Sequence, residues 1–398
     1  MFSRDFSNII RRYTPFPAIA ILGPRQSGKT TFARMTFPKH AYVLLEDLDN
    51  RTLALTDPRR FLEMYENEHG IIIDEFQYAP DLLSYIQIEA DNKNRPGYFI
   101  LTGSQNFLMN RAIAQSLAGR VGILTLLPLS LHELQINNLT PDSLDEAIVT
   151  GGYPRLYAEP IDPRTSHLSY IQTYIERDAR QLINVGDLGA FQQFLKLCAG
   201  RIGQQLNLSE LAGVCGISVS TARRWISILE ASYIIFLLQP HFTNFNKRLT
   251  KAPKLYFYDT GLVCALLGIA LPSALALNTF RGSLFEAYII ADLYKQFCNL
   301  GDRPSLYYWR DLNGRLEIDC IVETALQLFP IEIKSGTTIA SDFFNNLVTW
   351  SELAKQNAEN GYLIYGGDLL QERSKGIVMG WKHAGQLVNK LLQVPGEE

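Results

Sequence analysis

Short apolar runs punctuate the first third of the chain, at residues 18–22, 42–45, 71–73, 98–101 and 121–127. Each is the length of a buried strand and is bounded by polar or turn-forming residues. Helical patterns fall between them, at 31–35 and 61–68. Strand and helix in alternation predict β/α units around a parallel sheet. Past residue 150 the pattern changes. A helical run spans 170–182, and two short helices follow at 208–214 and 219–231, separated by the tight turn Cys215-Gly216-Ile217-Ser218. Ser218 suits an N-cap. Leu211, Ala212, Ile217, Ala222, Ile226 and Leu229 make a compact apolar set, which is a helix-turn-helix pattern. Residues 233–238 read as the strand of a winged variant. The last part gives a strand at 255–258 and a long helix at 280–297. Strands follow at 306–309, 315–322 and 328–333, then a helix at 342–355 and a strand at 362–365. The expected division is 1–150, 151–240 and 241–398.

The turn after the first strand carries the chemistry. Gly23-Pro24-Arg25-Gln26-Ser27-Gly28-Lys29-Thr30 has the phosphate-loop pattern G-x-x-x-x-G-K-T, placed between a strand and a helix. The glycines let the chain curl so that successive N–H groups, through Thr31, point at phosphate oxygens. The helix N-terminus adds its positive dipole end. Lys29 is expected to reach the β- and γ-phosphates of ATP, and Thr30 to hold Mg²⁺. The strand at 71–73 ends in Asp74 and Glu75. Asp74 suits the Mg²⁺ shell and Glu75 a general base for the attacking water. The strand at 98–101 ends in Thr102-Gly103-Ser104-Gln105, where Ser104 or Gln105 suits contact with the γ-phosphate or the water, and equally a plain helix cap. Arg120 and Arg155 are two candidate arginines for the transition-state charge, Arg155 from a lid helix.

The set GPRQSGKT, IIIDE, LTGSQ, SLAGR and GGYPR resembles a family of bacterial and archaeal AAA-type ATPases. In that family the ATPase module precedes a C-terminal region of unknown function. The string Tyr174-Ile175-Glu176-Arg177-Asp178 is similar to one that opens that region in the family. The resemblance implies a cytoplasmic ATPase.

The C-terminal segment offers a second constellation. A helix bearing Glu286 precedes strands bearing Asp319 and Glu332-Ile333-Lys334. That is the layout of PD-(D/E)XK, restriction-endonuclease-like folds. Residues i and i+2 of a strand share a face, so Glu332 and Lys334 point the same way. Asp319, Glu332 and Glu286 are the expected Mg²⁺ ligands, with Lys334 orienting water or neutralising phosphate. Such a domain can also bind a partner without cutting.

Charge refines the picture only slightly. Among 398 residues the net charge is −3, and no segment is strongly basic, so any contact with DNA or RNA must be local. Ser220, Thr221, Arg223 and Arg224 would present it, although two arginines suit a lid or a protein-docking module as well. The five cysteines are scattered without metal spacing, as buried thiols in a reducing compartment are. The apolar run at 262–277 is broken by Gly268 and Pro272 and is too short to cross a membrane. The expectation is an α/β chain: an AAA-like P-loop NTPase, then a winged helix-turn-helix, then a nuclease-like domain. It uses ATP and Mg²⁺ and acts on DNA or RNA, or alternatively works as an ATP-driven switch docking a protein. Arg120 makes a homo-oligomer plausible, because arginine fingers often act across subunits.

Overall fold

A computed structural model of the chain describes residues 2–93, 95–104, 117–175, 188–241, 252–311 and 313–393. The chain divides into two compact units. Unit 1 is Met1–Pro128 with two short pieces, Ala231–Tyr233 and Cys298–Asp302. Unit 2 is Leu129–Glu230, Ile234–Phe297 and Arg303–Glu398.

Unit 1 is built on five strands, β1 (Ala18–Leu22), β2 (Ala41–Leu44), β3 (Ile71–Asp74), β4 (Phe99–Gly103) and β5 (Val121–Thr125). They lie in the order β2-β3-β4-β1-β5, and every pairing is parallel. All residues of β1, β3 and β4 are buried, which is why their sequences run continuously apolar. Side chains alternate between the two faces of a strand. Ile19 and Ile21 of β1 share one core with Ile72, Ile100 and Leu124. Phe6, Ile9 and Ile10 from the N-terminal segment cover that core, together with Phe32 and Ala33 from helix α1 (Lys29–Thr36). Because the sheet is parallel, the C-terminal ends of all five strands collect at one edge, the usual ligand edge of an open α/β sheet. β4 lies between the strand that leads into the phosphate loop and the strand that ends in Asp74.

Unit 2 carries an eight-stranded mixed sheet: β6 (Ile235–Pro240), β7 (Lys254–Phe257), β8 (Leu306–Arg310), β9 (Glu317–Glu323), β10 (Leu328–Lys334), β11 (Tyr362–Tyr365), β12 (Leu370–Arg373) and β13 (Gly376–Gly380). The order is β12-β13-β11-β10-β9-β8-β6-β7. β9 runs antiparallel to both of its neighbours, β8 and β10, and β11 is parallel to β10. Helix α2 (Asn345–Ala354) buries Leu347 and Trp350 against Ile318, Ile321 and Leu363.

Two helices of unit 2, Leu208–Cys215 and Val219–Ala231, meet at a turn closed by Gly216 in the left-handed conformation. Ser218 Oγ accepts the Thr221 N–H at 3.1 Å, as an N-cap does. Leu211, Ala212, Ala222, Ile226 and Leu229 are buried, with Ile217 half-buried. Trp225 packs edge-on against Phe191 and Phe194. The strand expected at 233–238 is β6, and it does not stand apart. Gln239 and Pro240 pair with Tyr307 and Tyr308 of β8, so the sheet runs through residue 240 without a break. All five cysteines are free and buried. No helix among the described residues is long and apolar enough to cross a membrane.

Candidate functional site

The phosphate loop follows β1 and is backed by the chain just after β5. Leu126 N–H donates to Leu22 O at 2.7 Å. Gly23 sits at φ +151°, and a Cβ there would lie 2.1 Å from Leu126 O, so no other residue fits. Gln26 takes φ 61° and Gly28 φ 92°, which curls the backbone before α1 begins at Lys29, two residues earlier than the sequence pattern suggests. Thr31 is exposed on the first turn of α1. Arg4 braces the loop from behind. Its guanidinium donates to Ser27 O at 2.9 Å and to Leu127 O at 2.7 Å. Ser27 Oγ is buried with no hydrogen-bond partner among the described residues, an orphan that a phosphate oxygen would satisfy.

Lys29 is 5% exposed, and its Nζ donates to Pro24 O at 2.7 Å. Burial pulls its pKa down to about 8, against the opposing pull of Glu75 and Asp74, while Arg25 pushes it down further. The amine is therefore poised in the loop, hydrogen-bonded to a main-chain carbonyl.

Asp74 and Glu75 meet the loop from β3. Asp74 is 2% exposed. Its Oδ2 accepts from Thr30 Oγ1 and from Tyr42 Oη, both at 2.8 Å, and its Oδ1 accepts from Thr102 Oγ1. A hydroxyl and a carboxylate set against each other, all oxygen, form a donor set that suits Mg²⁺. Burial, and then the charge of Asp74, push the Tyr42 phenol upward, so it stays a donor. Glu75 takes a left-handed backbone at φ 55°, a strained conformation of the kind held at functional sites. Its Oε2 accepts from Ser104 Oγ at 3.2 Å and from Gln77 Nε2. Ser104 is therefore brought beside the expected base. Gln105 lies outside the described residues, as do Ser116 and Glu176, Arg177 and Asp178.

The two expected arginines fare differently. Arg120 precedes β5, and Ala18 N–H donates to its carbonyl, so it stands at the N-terminal end of the sheet. The phosphate loop leaves the other end, about 16 Å away along a five-residue strand. Arg120 is also paired with Asp91, Nη2 to Oδ2 at 3.0 Å. Arg120, expected as a candidate transition-state arginine, thus lies at the end of the strands away from its own chain's phosphate loop. Arg155 belongs to unit 2, where it is exposed and paired with Glu159 at 3.0 Å.

In unit 2 the glycines of GGYPR answer to Asp259. Gly151 sits at φ +72°, and a Cβ there would lie 2.2 Å from Asp259 Oδ1. Gly152 N–H donates to Asp259 Oδ2 at 2.7 Å. The same aspartate caps the helix Thr260–Leu267 through the Leu262 N–H. The motif is explained there by packing.

The second constellation is an acid–lysine ladder. Lys254 Nζ lies 3.4 Å from Glu286 and 2.5 Å from Glu317, and Tyr256 Oη donates to Glu286 at 2.5 Å. Lys334 Nζ lies 3.1 Å from Glu332 and 3.7 Å from Asp319. Asp319 accepts the Ile333 N–H at 2.8 Å, and Asn346 Nδ2 donates to Glu332 at 2.9 Å. Burial, then the charge of Asp319, push Glu286 up to about 7 and Glu332 up to about 8. Burial alone would lower Lys254, but Glu286, Glu317 and Asp319 outweigh it and the net shift is upward. Among the described residues no three His, Cys, Asp or Glu side chains converge closely enough to hold one metal ion. The expected Glu286, Asp319 and Glu332 metal nest is corrected accordingly: two lysines are interleaved among the acids, and each carboxylate already has a cation or N–H donor.

Residues 15–135 match the model of the AAA domain family. Residues 141–273 and 281–383 match two domains of unknown function, DUF8612 and DUF4143. Two relatives, the uncharacterized proteins Mb2031c of Mycobacterium bovis and Rv2008c of Mycobacterium tuberculosis, are each 31% identical over 326 residues, 81% of this chain and 71% of theirs.

The chain belongs to the family of these two proteins.

A more distant member-like match, the uncharacterized protein MJ1544 of Methanocaldococcus jannaschii, is 23% identical over 60% of each chain. Among solved structures, the Walker-type ATPase of Pyrococcus abyssi covers 67% of this chain and 96% of its own at 15% identity and a TM-score of 0.42. A Thermotoga maritima RuvB Holliday junction branch migration motor covers 58% and 84% at 18% identity and a TM-score of 0.31. Neither superposition is close enough to bear on function. The family match makes residues 15–135, which include most of unit 1, an AAA-type domain.

Sequence reasoning missed Arg4, Tyr42, Thr102 and Gln77. Tyr42 and Thr102 each sit at an ordinary strand position, and only the order β2-β3-β4 carries them to the two sides of Asp74. Gln77 had a local signal, being two residues past Glu75 in a turn.

Proposed function

We propose that the chain is a Mg²⁺-dependent ATPase whose nucleotide state controls unit 2. The observation that carries the reading is the meeting of three strand ends: Thr30 bonded to Asp74, and Ser104 bonded to Glu75, beside a buried Lys29. The loop N–H groups and Lys29 hold the phosphates, and Lys29 exchanges Pro24 O for phosphate oxygen. Mg²⁺, held by Thr30 and Asp74, supplies charge neutralisation at the phosphate tail. Tyr42 and Thr102 fix the Asp74 carboxylate. Ser104 orients Glu75, which takes a proton from water as the water oxygen bonds to the γ-phosphorus. The bond to the bridging oxygen breaks, giving ADP and phosphate. Phosphate release from ATP by the full chain, abolished in Lys29→Ala with the fold retained, is expected. Normal turnover in Lys29→Ala would remove Lys29 from the mechanism. Arg120, half-buried at the far end of the sheet, suits a second copy's nucleotide.

For unit 2 we read a winged helix-turn-helix followed by a restriction-endonuclease-like fold. The helix pair capped at Ser218 supports the first. The run of a helix, three antiparallel strands, a helix and a parallel strand supports the second. Action on DNA or RNA is one use of such a region, and docking a protein partner under ATP control is the other. The lysine-neutralised acids favour docking. Supercoiled plasmid incubated with Mg²⁺ or Mn²⁺ separates the two: we expect no nicking beyond that of Asp319→Ala. Nicking by the wild type alone would establish nuclease chemistry.

A further inference from the structure

Arg120 lies at the N-terminal end of the unit 1 sheet, away from the phosphate loop, but one arginine lies within the loop itself. We propose that Arg25 is the in-chain arginine for the γ-phosphate, and that Glu46 holds it back until ATP arrives. This rests on the ATPase reading above.

Arg25 belongs to the loop after β1, and its Nη1 donates to Glu46 Oε1 at 3.4 Å. Glu46 follows β2, which is separated from β1 by β4 and β3. The ion pair therefore spans the C-terminal ends of the two strands that carry Ser104 and Asp74–Glu75. That is where the transferred phosphate must lie, between the loop and the base. The Arg25 side chain is 8% exposed and Glu46 is 45% exposed.

The acceptor side is built in advance. Tyr78, in the turn just after Glu75, donates to the same Glu46 oxygen at 3.5 Å. Arg51 lies over the Tyr78 ring at 4.1 Å and donates to Leu45 O at 3.0 Å and Glu46 O at 3.1 Å. The donor side rides on the phosphate loop. A half-exposed carboxylate at 3.4 Å is a weak partner. A phosphate tail presents a planar guanidinium with more charge and bidentate acceptors. Arg25 also presses Lys29 toward its neutral form. Two cations crowded at one buried site are relieved together by an anion. Arg4, by contrast, donates to the main-chain carbonyls of Ser27 and Leu127.

The test compares ATP and ADP affinity and turnover in wild type, Arg25→Ala, Arg25→Lys and Glu46→Gln. Arg25→Ala is expected to weaken ATP by about tenfold, leave ADP nearly unchanged and lower kcat by about a hundredfold or more. Arg25→Lys recovers part of the ATP affinity. Glu46→Gln, which removes that carboxylate's charge from the arginine, tightens ATP several-fold and spares ADP. A merely structural ion pair predicts the opposite pattern: Arg25→Ala and Glu46→Gln behave alike and weaken ATP and ADP equally. That result overturns the proposal. If the wild type binds ATP without hydrolysing it, the ATPase reading falls, while the ATP-against-ADP comparison still decides Arg25. If it binds neither nucleotide, both fall.

Discussion

Lys29 sets the pH behaviour of the nucleotide site. Its pKa lies near 8 because burial outweighs the opposing pull of the Glu75 and Asp74 charges. Bound phosphate favours the charged amine and raises the pKa again. Above about pH 8 the bound state therefore carries a proton that the free state has lost. ATP affinity should hold below pH 8 and fall as pH rises through it, by up to about tenfold per unit. Calorimetric titration in buffers of different ionisation enthalpy should show proton uptake in that range, and a flat affinity from pH 7 to 10 would exclude it. Lys29, Thr30, Asp74 and Glu75 could be named from the chain because their chemistry is local to two short motifs. Tyr42, Thr102 and Arg4 could not, since each acts through a partner at least 23 residues away and only folding makes the pair.

At the scale of the element, β9 and β10 bring charges together that the sequence spaces apart. The spacing read correctly that Glu332 and Lys334 share a face, and their side chains do bond. It could not show Lys254, which enters from β7 and turns an expected metal nest into a ladder of ion pairs. Glu286 and Glu332 are raised to about 7 and about 8, above their unfolded values. Their folded forms hold protons that the unfolded chain releases. The stability this lends is fully present below about pH 4.5 and is lost as pH rises through 7 and 8. Glu332→Gln should flatten the decline of Tm between about pH 4.5 and 8. A slope unchanged from wild type would show that Glu332 does not titrate there.

On the scale of the whole molecule, the alternating apolar runs foretold the parallel sheet of unit 1 because strands buried on both faces leave that trace. Strand order left no such trace, yet it decides the site: it lays β4 between the loop and Asp74, and it sends Arg120 to the far end. The extent of unit 2 was also not legible, because the pairing of β6 with β8 joins residues nearly seventy positions apart. Glu75→Gln tests most directly whether the loop and the β3 carboxylates form a working hydrolytic site, since the amide keeps the shape of the side chain and removes the base. Phosphate release should fall by about a hundredfold or more while ATP binding persists. Release at the wild-type rate from Glu75→Gln would contradict it.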